Sequence, residues 1–333
     1  MLKSWGSAIT VTLAALVYVC VAMGAGAALT ALILIAIEIA FSFDNAVVNA
    51  KILERLSRFW QQLFLTVGVV VAIIGMRLVF PIAIVIITAR LPWHEVVREA
   101  LHQPIVYGRH LELAHASIAA FGGGFLLLLA LNFLFDDAPR ELWLEKIERP
   151  LRHFNARWMP VVLAALTVGL TALIANQQRG HVLAAGLLGV GSYLAITLII
   201  EGLGRVAGND DSHHHYRGWA AFGVFMYLQL LDASFSFDGV LGAFAITSRI
   251  VLIAIGLGVG ALWVRSLTVF MVRHQTLKQY IYLEHGAHYA ILVLAVALLA
   301  SIRINVPDFV TGAAGLGVIA ASFTASRQAR RAR

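Results

Sequence analysis

Residues 38–48 read EIAFSFDNAVV, and residues 232–241 read DASFSFDGVL. Each stretch begins with an acidic residue, continues with three residues, and reaches the tripeptide Ser-Phe-Asp. The next residue, Asn45 in the first copy and Gly239 in the second, tolerates backbone angles that most residues resist. Because both stretches lie within long apolar runs, the chain repeats a charged motif inside its hydrophobic segments.

The composition indicates a membrane protein. The chain has 333 residues, of which 60% are hydrophobic and 13% are charged, and its mean hydropathy is +0.84. Soluble domains contain about 45–50% apolar and about 25% charged residues, so a soluble enzyme is excluded. The single cysteine, Cys20, excludes a disulfide framework and a cysteine-based metal cage. The basic residues occupy short loops and the tail, so nucleic acid is not an expected partner.

We predict an all-α polytopic bundle of about nine or ten transmembrane helices, each a run long enough to cross about 30 Å of hydrocarbon. The first run also resembles a signal peptide, although we favour a retained span. The predicted spans are 5–23, 26–50, 62–89, 112–135, 159–176, 181–204, 217–247, 249–272, 287–302 and 308–325.

The basic residues predict the orientation in the cell's inner membrane. With both termini cytoplasmic, 17 of the 25 Lys and Arg residues lie in inner segments and 6 in outer loops, as the positive-inside rule requires. The chain then divides into an N-terminal membrane half (1–135), an amphipathic cytoplasmic linker (136–158), a C-terminal membrane half (159–326) and a basic cytoplasmic tail (327–333).

The repeat extends beyond the two motifs. Arg77 and Arg265 follow in the next predicted spans, and Glu112 with His115 corresponds more loosely to Glu284 with His288. The repeated helices occupy residues 26–135 and 217–302 and start five spans apart. An odd offset makes the second copy cross the membrane in the opposite sense, as in the inverted-topology repeats of secondary transporters.

Acidic residues inside a bilayer need partners. A central Asp costs about 2.5–3.5 kcal/mol on insertion scales. One possibility is that Arg77 and Arg265 neutralise Asp44 and Asp238 as buried pairs. Two arginines cannot satisfy the four acids of the repeated motifs, so a surplus of negative charge predicts a cation site. The acids in or near the spans are Glu38, Asp44, Glu112, Glu201, Asp232, Asp238 and Glu284.

Helical spacing leaves two alternatives for the motifs. Glu38, Ser42 and Asn45 fall on one stripe of a helix, whereas Asp44 points roughly 120° away. Either the helix opens around Ser-Phe-Asp so that all of them bind one ion, or the helix stays intact and each acid has a separate partner. Asp232, Ser236, Asp238 and Gly239 repeat this pattern in the second copy.

The donor types predict which ion is bound. Carboxylates, an amide carbonyl and hydroxyls are hard oxygen donors, suited to Mg²⁺, Ca²⁺ or Mn²⁺. His115 and His288 would favour Mn²⁺ if they bind, although for each histidine alone we favour a hydrogen-bonded core residue or a proton relay. The predicted metal ligands are Glu38, Asp44, Asn45, Asp232 and Asp238, and the supporting residues are Ser42, Ser236, Arg77, Arg265, Glu112, His115, Glu284 and His288. We expect no permanent cofactor.

The two motifs resemble the TerC-like (tellurium-resistance) integral membrane family of the lysine-exporter superfamily. Ala120–Gly123 and Tyr282–Tyr289 add to the resemblance, which covers about residues 25–325. It implies an inner-membrane protein and, for several relatives, manganese efflux through the acids of the repeated motifs. Gly239 departs from Asn45, which implies an asymmetric site. An acid-lined cavity would repel tellurite, so a tellurium phenotype would be indirect.

Three hypotheses follow for the function. We favour a divalent-cation exporter with Mn²⁺ as its preferred ion, coupled to protons or to the membrane potential. The chain could form homo-oligomers. The alternative is a non-transporting membrane partner or scaffold of a tellurium- or metal-stress response, docking through residues 136–158 and 205–217. The His213–His215 tract in the second of these segments could bind metal, although we favour a solvated loop there. An intramembrane metalloenzyme is disfavoured because Glu284-His285-Gly-Ala-His288 differs in order from His-Glu-x-x-His.

Overall fold

A computed structural model describes residues 2–137, 141–153, 158–175, 178–206, 216, 218–247, 249–304 and 306–332. The predicted docking loop 205–217, with its His213–His215 tract, lies largely outside these residues. Within the described ranges the chain forms helices and no β-strand, which confirms the predicted all-α class.

Sixteen α-helices and one π-helical segment occupy the described ranges. In chain order they are α1 (Leu2–Met23), α2 (Ala25–Phe41), α3 (Phe43–Leu53), α4 (Arg58–Leu65), α5 (Val67–Val70), the π-helical segment (Val71–Val79), α6 (Phe80–Ala89), α7 (Trp93–His102), α8 (Pro104–Phe135), α9 (Glu145–His153), α10 (Met159–Ile174), α11 (Arg179–Val206), α12 (Gly218–Ile246), α13 (Ile250–Arg273), α14 (Thr276–Gln279), α15 (Leu283–Ser301) and α16 (Asp308–Ala332).

The long apolar helices make this a multi-pass membrane protein. Among the described residues, six helices are long and apolar enough to cross a bilayer, namely α1, α8, α11, α13, α15 and α16. The bent pair α2 and α3 gives a seventh span if it is counted as one. Leucine and valine side chains exposed along α10 and α11 face outward, as lipid contact requires.

The predicted span 62–89 is wrong as a single helix, because the chain there is divided into α4, α5, the π-helical segment and α6. Arg265 donates from Nη1 to the carbonyl oxygen of Phe64 at 3.0 Å. The same nitrogen lies 2.6 Å from the point where a Cβ on Gly68 would stand. A side chain that takes a carbonyl from the helical ladder is a recognised cause of a break, and here the break is at Thr66.

Two further boundaries differ from the prediction. The supposed outer loop before the fourth span contains α7, whose buried Val96 and Ala100 lie four residues apart on one face. The fourth span itself begins at Pro104, where proline suits the first helical turn, and not at residue 112. The basic tail is helical as far as Ala332, because α16 continues through it.

The two copies of the repeat run in opposite directions, as predicted. Asn45 contacts Asp232, and Leu56 pairs with Tyr216, so residue numbers rise on one helix as they fall on the other. The third helices of the copies, α8 and α15, behave in the same way. His115 contacts Ser301 at one end of that pair, and Phe133 stacks on His288 at the other.

Glycine permits close helix packing along α13 and α8. A Cβ on Gly256 would stand 2.6 Å from Cβ of Leu34, and one on Gly260 would stand 2.5 Å from Cβ of Glu38. On α8, a Cβ at Gly124 would stand 2.6 Å from the carbonyl oxygen of Gly186. Small residues at helix crossings let backbones approach and gain dispersion contacts in lipid.

The linker is attached to the membrane domain through a buried carboxylate. Glu148 on α9 is 1% exposed, and its oxygens accept hydrogen bonds from the main-chain N–H of Leu144 at 3.2 Å and from the Tyr289 hydroxyl at 3.3 Å. His285 Nε2 lies 3.4 Å from the same carboxylate. The predicted amphipathic helix is therefore a short one, and its contact with α15 was not predicted.

We expect Gly189→Ala to destabilise the bundle, because its Cβ would press on the carbonyl oxygen of Phe121, a main-chain atom that cannot rotate away. Overpacking of this kind costs about 1–3 kcal/mol. Gly191→Ala on the same helix is the matched control, since a Cβ there meets nothing within 4 Å. Thermal unfolding in detergent measures the difference, and equal midpoints for the two variants would contradict the packing analysis.

We expect the contact of α9 with α15 to weaken in acid. Burial opposes ionisation of Glu148, but His285 and the N–H groups of Leu144 and Trp143 outweigh it and lower the pKa of the carboxyl below its usual value of 4.5. A carboxyl group whose pKa is lower in the folded than in the unfolded protein stabilises the fold at a pH above its unfolded pKa. This contribution is lost as the pH falls through the folded pKa.

Glu148→Gln should mimic the acid form at neutral pH. Because hydrogen bonds to a charged group contribute about 1.5–3 kcal/mol, amide exchange in residues 141–153 should accelerate by about tenfold or more. Glu145→Gln on the exposed side of α9 is the control, and accelerated exchange in that variant alone would refute this role for Glu148.

Candidate functional site

The first motif lies at a break between two helices. α2 ends at Phe41, α3 begins at Phe43, and Ser42 between them has φ −101° and ψ 16°. The two axes differ by 52°. The second motif lies within α12, which is continuous from Gly218 to Ile246. The helix opening that one alternative requires is therefore present in the first copy, whereas the helix of the second copy stays intact. The opening is at Ser42, before the residue whose backbone freedom was expected to allow it.

Three of the predicted acidic ligands are buried within the bundle. Glu38 and Asp44 are 6% exposed, Asp232 is 7% exposed, and Asn45 is 2% exposed. The side chains of Arg77, Ser236 and Asp238, which the sequence analysis also assigned to the site, lie outside the part of the chain whose side chains are described.

Asp232 joins the two copies of the motif. Its Oδ1 accepts a hydrogen bond from Asn45 Nδ2 at 3.0 Å, and its Oδ2 accepts one from Arg265 Nη2 at 3.1 Å. Among the described side chains, Asp232 pairs with Arg265, a partner that the hypothesis of an Arg265–Asp238 pair did not include. A predicted metal ligand thus belongs to a buried ion pair.

Arg265 is held by groups that the sequence did not indicate. Besides Asp232, its guanidinium donates to the carbonyl oxygen of Phe64 at 3.0 Å and to Gln229 Oε1 at 3.4 Å. Its Cζ lies 4.2 Å from the centre of the Phe64 ring, within range of a cation–π interaction. Gln229 could have been noticed, since it precedes Asp232 by three residues on one helix face; a main-chain carbonyl from α4 could not.

The side-chain amide of Asn45 has a defined orientation. An ionised carboxylate only accepts hydrogen bonds, so the group facing Asp232 must be the NH₂ and the carbonyl oxygen points elsewhere. That oxygen is buried and has no hydrogen-bond partner. The main-chain N–H of Asn45 donates to Asp44 Oδ1 at 2.8 Å, which places the Asp44 carboxylate beside it at the start of α3.

Glu38 makes the reciprocal contact between the copies. Its Oε1 accepts from the Ser42 hydroxyl at 3.3 Å, and its Oε2 lies 3.3 Å from the point where a Cβ on Gly239 would stand. Glu38 and Asp232 are the first residues of their motifs, and Gly239 and Asn45 are the last. The first residue of each motif therefore lies near the last residue of the other motif, as expected for two inverted copies.

The two Glu-His motifs lie at opposite ends of the bundle. Glu284 forms an ion pair with Lys51 at 2.8 Å, and His288 Nδ1 lies 2.8 Å from the carbonyl oxygen of Glu284. At the other end, His115 Nε2 contacts the Ser301 hydroxyl at 3.3 Å, and Glu112 is exposed. The fold therefore does not bring these supporting residues together with one another.

A polar cavity of about 780 Å³ lies at the end of the bundle where α3 ends and α15 begins. Val48, which lines it, stands one turn beyond Asp44 on the same face of α3. The cavity thus approaches the buried motif from one side. Its charged lining residues are Lys51, Arg55, Asp136, Asp137, Glu201 and Glu284, in which acids outnumber bases.

The described side chains do not by themselves complete a metal cage. No three His, Cys, Asp or Glu residues among them are grouped closely enough to hold an ion. An ion at the motif would need the Asn45 carbonyl, main-chain oxygens, water or residues such as Asp238 in addition to the described acids.

Comparison with known proteins identifies a family but no activity. The family model DUF475, described as a protein of unknown function, matches residues 43–333. No curated protein and no solved structure matches the chain. The matched region begins inside the first motif and includes the whole of the second, together with α3 to α16. Because this match covers most of the sequence, the chain belongs to the DUF475 family.

Proposed function

We propose that this protein exports a divalent metal cation, with Mn²⁺ as the preferred ion, through a site that the two inverted motifs form inside the membrane. The observation that carries the proposal is the reciprocal contact between the copies. Asn45 of one meets Asp232 of the other, and Glu38 meets Gly239, with Glu38, Asp44 and Asp232 buried.

The carboxylates gathered at this contact support a cation as the ligand. Glu38, Asp44 and Asp232 are all buried there. Carboxylates inside a membrane must be paired, hydrated, protonated or bound to a cation, and their oxygens are ligands for a hard divalent ion. Proton uptake by a carboxylate that releases the ion would couple export to the proton gradient.

The donor chemistry and the resemblance support Mn²⁺ in particular. Carboxylate and amide oxygens suit a hard divalent cation, and Mn²⁺ tolerates such oxygen ligands. The likeness of the motifs to the TerC-like family, several members of which export manganese, points to the same ion. We assign Asp44, Asn45 and Asp238 to the ion, with Glu38 and Asp232 beside them.

The polar cavity supports a route from one side. In the inner membrane with both termini cytoplasmic, as the basic residues predict, the end that carries Lys51 and Asp137 faces the cytoplasm. The acidic surplus in the lining would attract cations toward Asp44. The alternative, a membrane scaffold acting through its surface segments, assigns no role to this route.

Asp44→Asn should strongly reduce export without loss of folded protein, because it preserves the shape of the side chain while removing a negative charge from the site. Loss of one charged ligand interaction corresponds to a decrease in flux of about 10- to 100-fold. Uptake of Mn²⁺, Ca²⁺ and Mg²⁺ into inside-out vesicles measures it. Glu112→Gln is the matched control, since Glu112 is an exposed acid on α8.

Unchanged transport of every ion in Asp44→Asn would exclude the exporter and favour the scaffold. Flux that falls equally in Glu112→Gln would show that any loss of acidic charge is harmful, which contradicts a localised site.

The cavity should be open to the cytoplasm. In a Cys20→Ser background, a cysteine at Asp137, an exposed residue lining the cavity, should react with an impermeant thiol reagent from the cytoplasmic side only. Arg303→Cys, exposed just beyond the end of α15, should react only from the opposite side. The reverse pattern would invert the proposed orientation and the direction of the route.

A further inference from the structure

We infer that Asp232 is a positioning residue and not a ligand of the ion: with Arg265 it orients the Asn45 amide, whose carbonyl oxygen binds the cation beside Asp44. This inference rests on the proposed function. It separates two roles that the repeated sequence suggests are equivalent, since Glu38 and Asp232 occupy the same place in their motifs.

Both oxygens of Asp232 are already used by donors. Asn45 Nδ2 occupies Oδ1 at 3.0 Å and Arg265 Nη2 occupies Oδ2 at 3.1 Å, and the side chains of the ion pair are 10% and 3% exposed. A divalent cation on Asp232 would lie next to the guanidinium, and two like charges at such a distance repel strongly in a region of low dielectric constant.

Arg265 cannot easily withdraw to make room. Its guanidinium also donates to Phe64 O at 3.0 Å and to Gln229 Oε1 at 3.4 Å, and it lies over the Phe64 ring. A Cβ on Gly68 would clash with its Nη1. These contacts come from α4, the start of α5 and α12, so moving the guanidinium would require those helices to rearrange.

Fixing Asp232 also fixes Asn45. The carboxylate holds the NH₂ end of the amide, and the carbonyl end is then presented on the opposite side. That oxygen is on a side chain that is 2% exposed, and it has no hydrogen-bond donor. A buried acceptor without a donor is unusual in proteins, and a cation is a chemical species that would satisfy it.

Asp44 is the adjacent negative group. Its Oδ1 accepts the Asn45 main-chain N–H at 2.8 Å, so its carboxylate and the Asn45 side chain start from neighbouring positions in the first turn of α3. The second copy has no equivalent of this arrangement, because Gly239 has no side chain and therefore no side-chain amide. The ion site is therefore built on the broken helix α3, and the continuous helix α12 supplies its support.

Two charge-neutral double variants test this inference. Asp232→Asn with Arg265→Gln removes the ion pair but keeps an oxygen that accepts the Asn45 NH₂; Asp232→Leu with Arg265→Met removes both the pair and the acceptor. Replacing both partners avoids an isolated buried charge. Equilibrium binding of Mn²⁺ to the purified full-length protein, followed by electron paramagnetic resonance, gives the Kd, and vesicle flux gives KM and the maximal rate.

The first double variant should keep its Kd for Mn²⁺ within about threefold of wild type, whereas the second should weaken it by about tenfold or more, as loss of an oriented ligand implies. A Kd in the first double variant that is weakened as much as in Asp44→Asn would make Asp232 a ligand. That outcome overturns the inference and leaves the exporter standing. Absence of Mn²⁺ binding and flux in wild type would refute the exporter and the inference with it.

Wild-type protein provides a check that does not depend on the folding of the double variants. Mn²⁺ binding should shift a side-chain amide carbonyl band in the infrared difference spectrum, and Asn45→Leu, which leaves Asp232 and Arg265 in place, should remove that band. A wild-type spectrum in which only carboxylate bands change would overturn the inference.

Discussion

Asp232 is a carboxylate buried in an apolar bundle, and the need to satisfy its charge organises the surrounding helices. Its two oxygens connect α12 to α3 through Asn45 and to α13 through Arg265. Arg265 in turn takes the carbonyl of Phe64, and the helix that was expected over residues 62–89 is broken two residues later, at Thr66. A single buried ion pair thus accounts for the junction of the two repeats and for a broken span. Removing one partner of such a pair is strongly destabilising, because the other charge stays buried without compensation. The intact pair contributes less, because the attraction between the two charges must offset the hydration that both lost on burial.

The asymmetry between the copies has a physical basis. The first motif has an amide at its last position, and the second has glycine. The amide reaches across to Asp232, while glycine leaves room for the carboxylate of Glu38 to approach at 3.3 Å from where a Cβ would be. α2 and α3 are separated at Ser42, but α12 is continuous. In the proposed site the broken helix carries the residues that bind the ion and the intact helix supports them, so the acids of the two motifs need not have the same role.

A buried carboxylate outside the two motifs, that of Glu148, has a different role. Glu148 anchors the linker helix α9 to α15 through His285 and Tyr289, near the end of the bundle that contains the polar cavity. α15 also contributes Glu284 and His288 to the cavity wall, and Glu284 is paired with Lys51 of the first copy. The linker is therefore in contact with the helix that lines the proposed route for the ion.

The amino-acid sequence alone determined the class of the protein, because apolar runs and sparse charge are averaged over many residues and do not depend on which helices meet. It also determined the repeat, its opposite direction and the burial of Glu38, Asp44 and Asp232, since a charged motif in two apolar runs an odd number of spans apart has those consequences. Only the tertiary structure decided which partner each acid has. Asp232 pairs with Arg265 and Asn45, the Phe64 carbonyl serves Arg265, and Glu148 meets His285. These contacts join residues up to 201 positions apart in the chain. Side-chain pairing depends on helix rotation and on close approach at particular glycines, and neither is encoded in hydropathy or spacing.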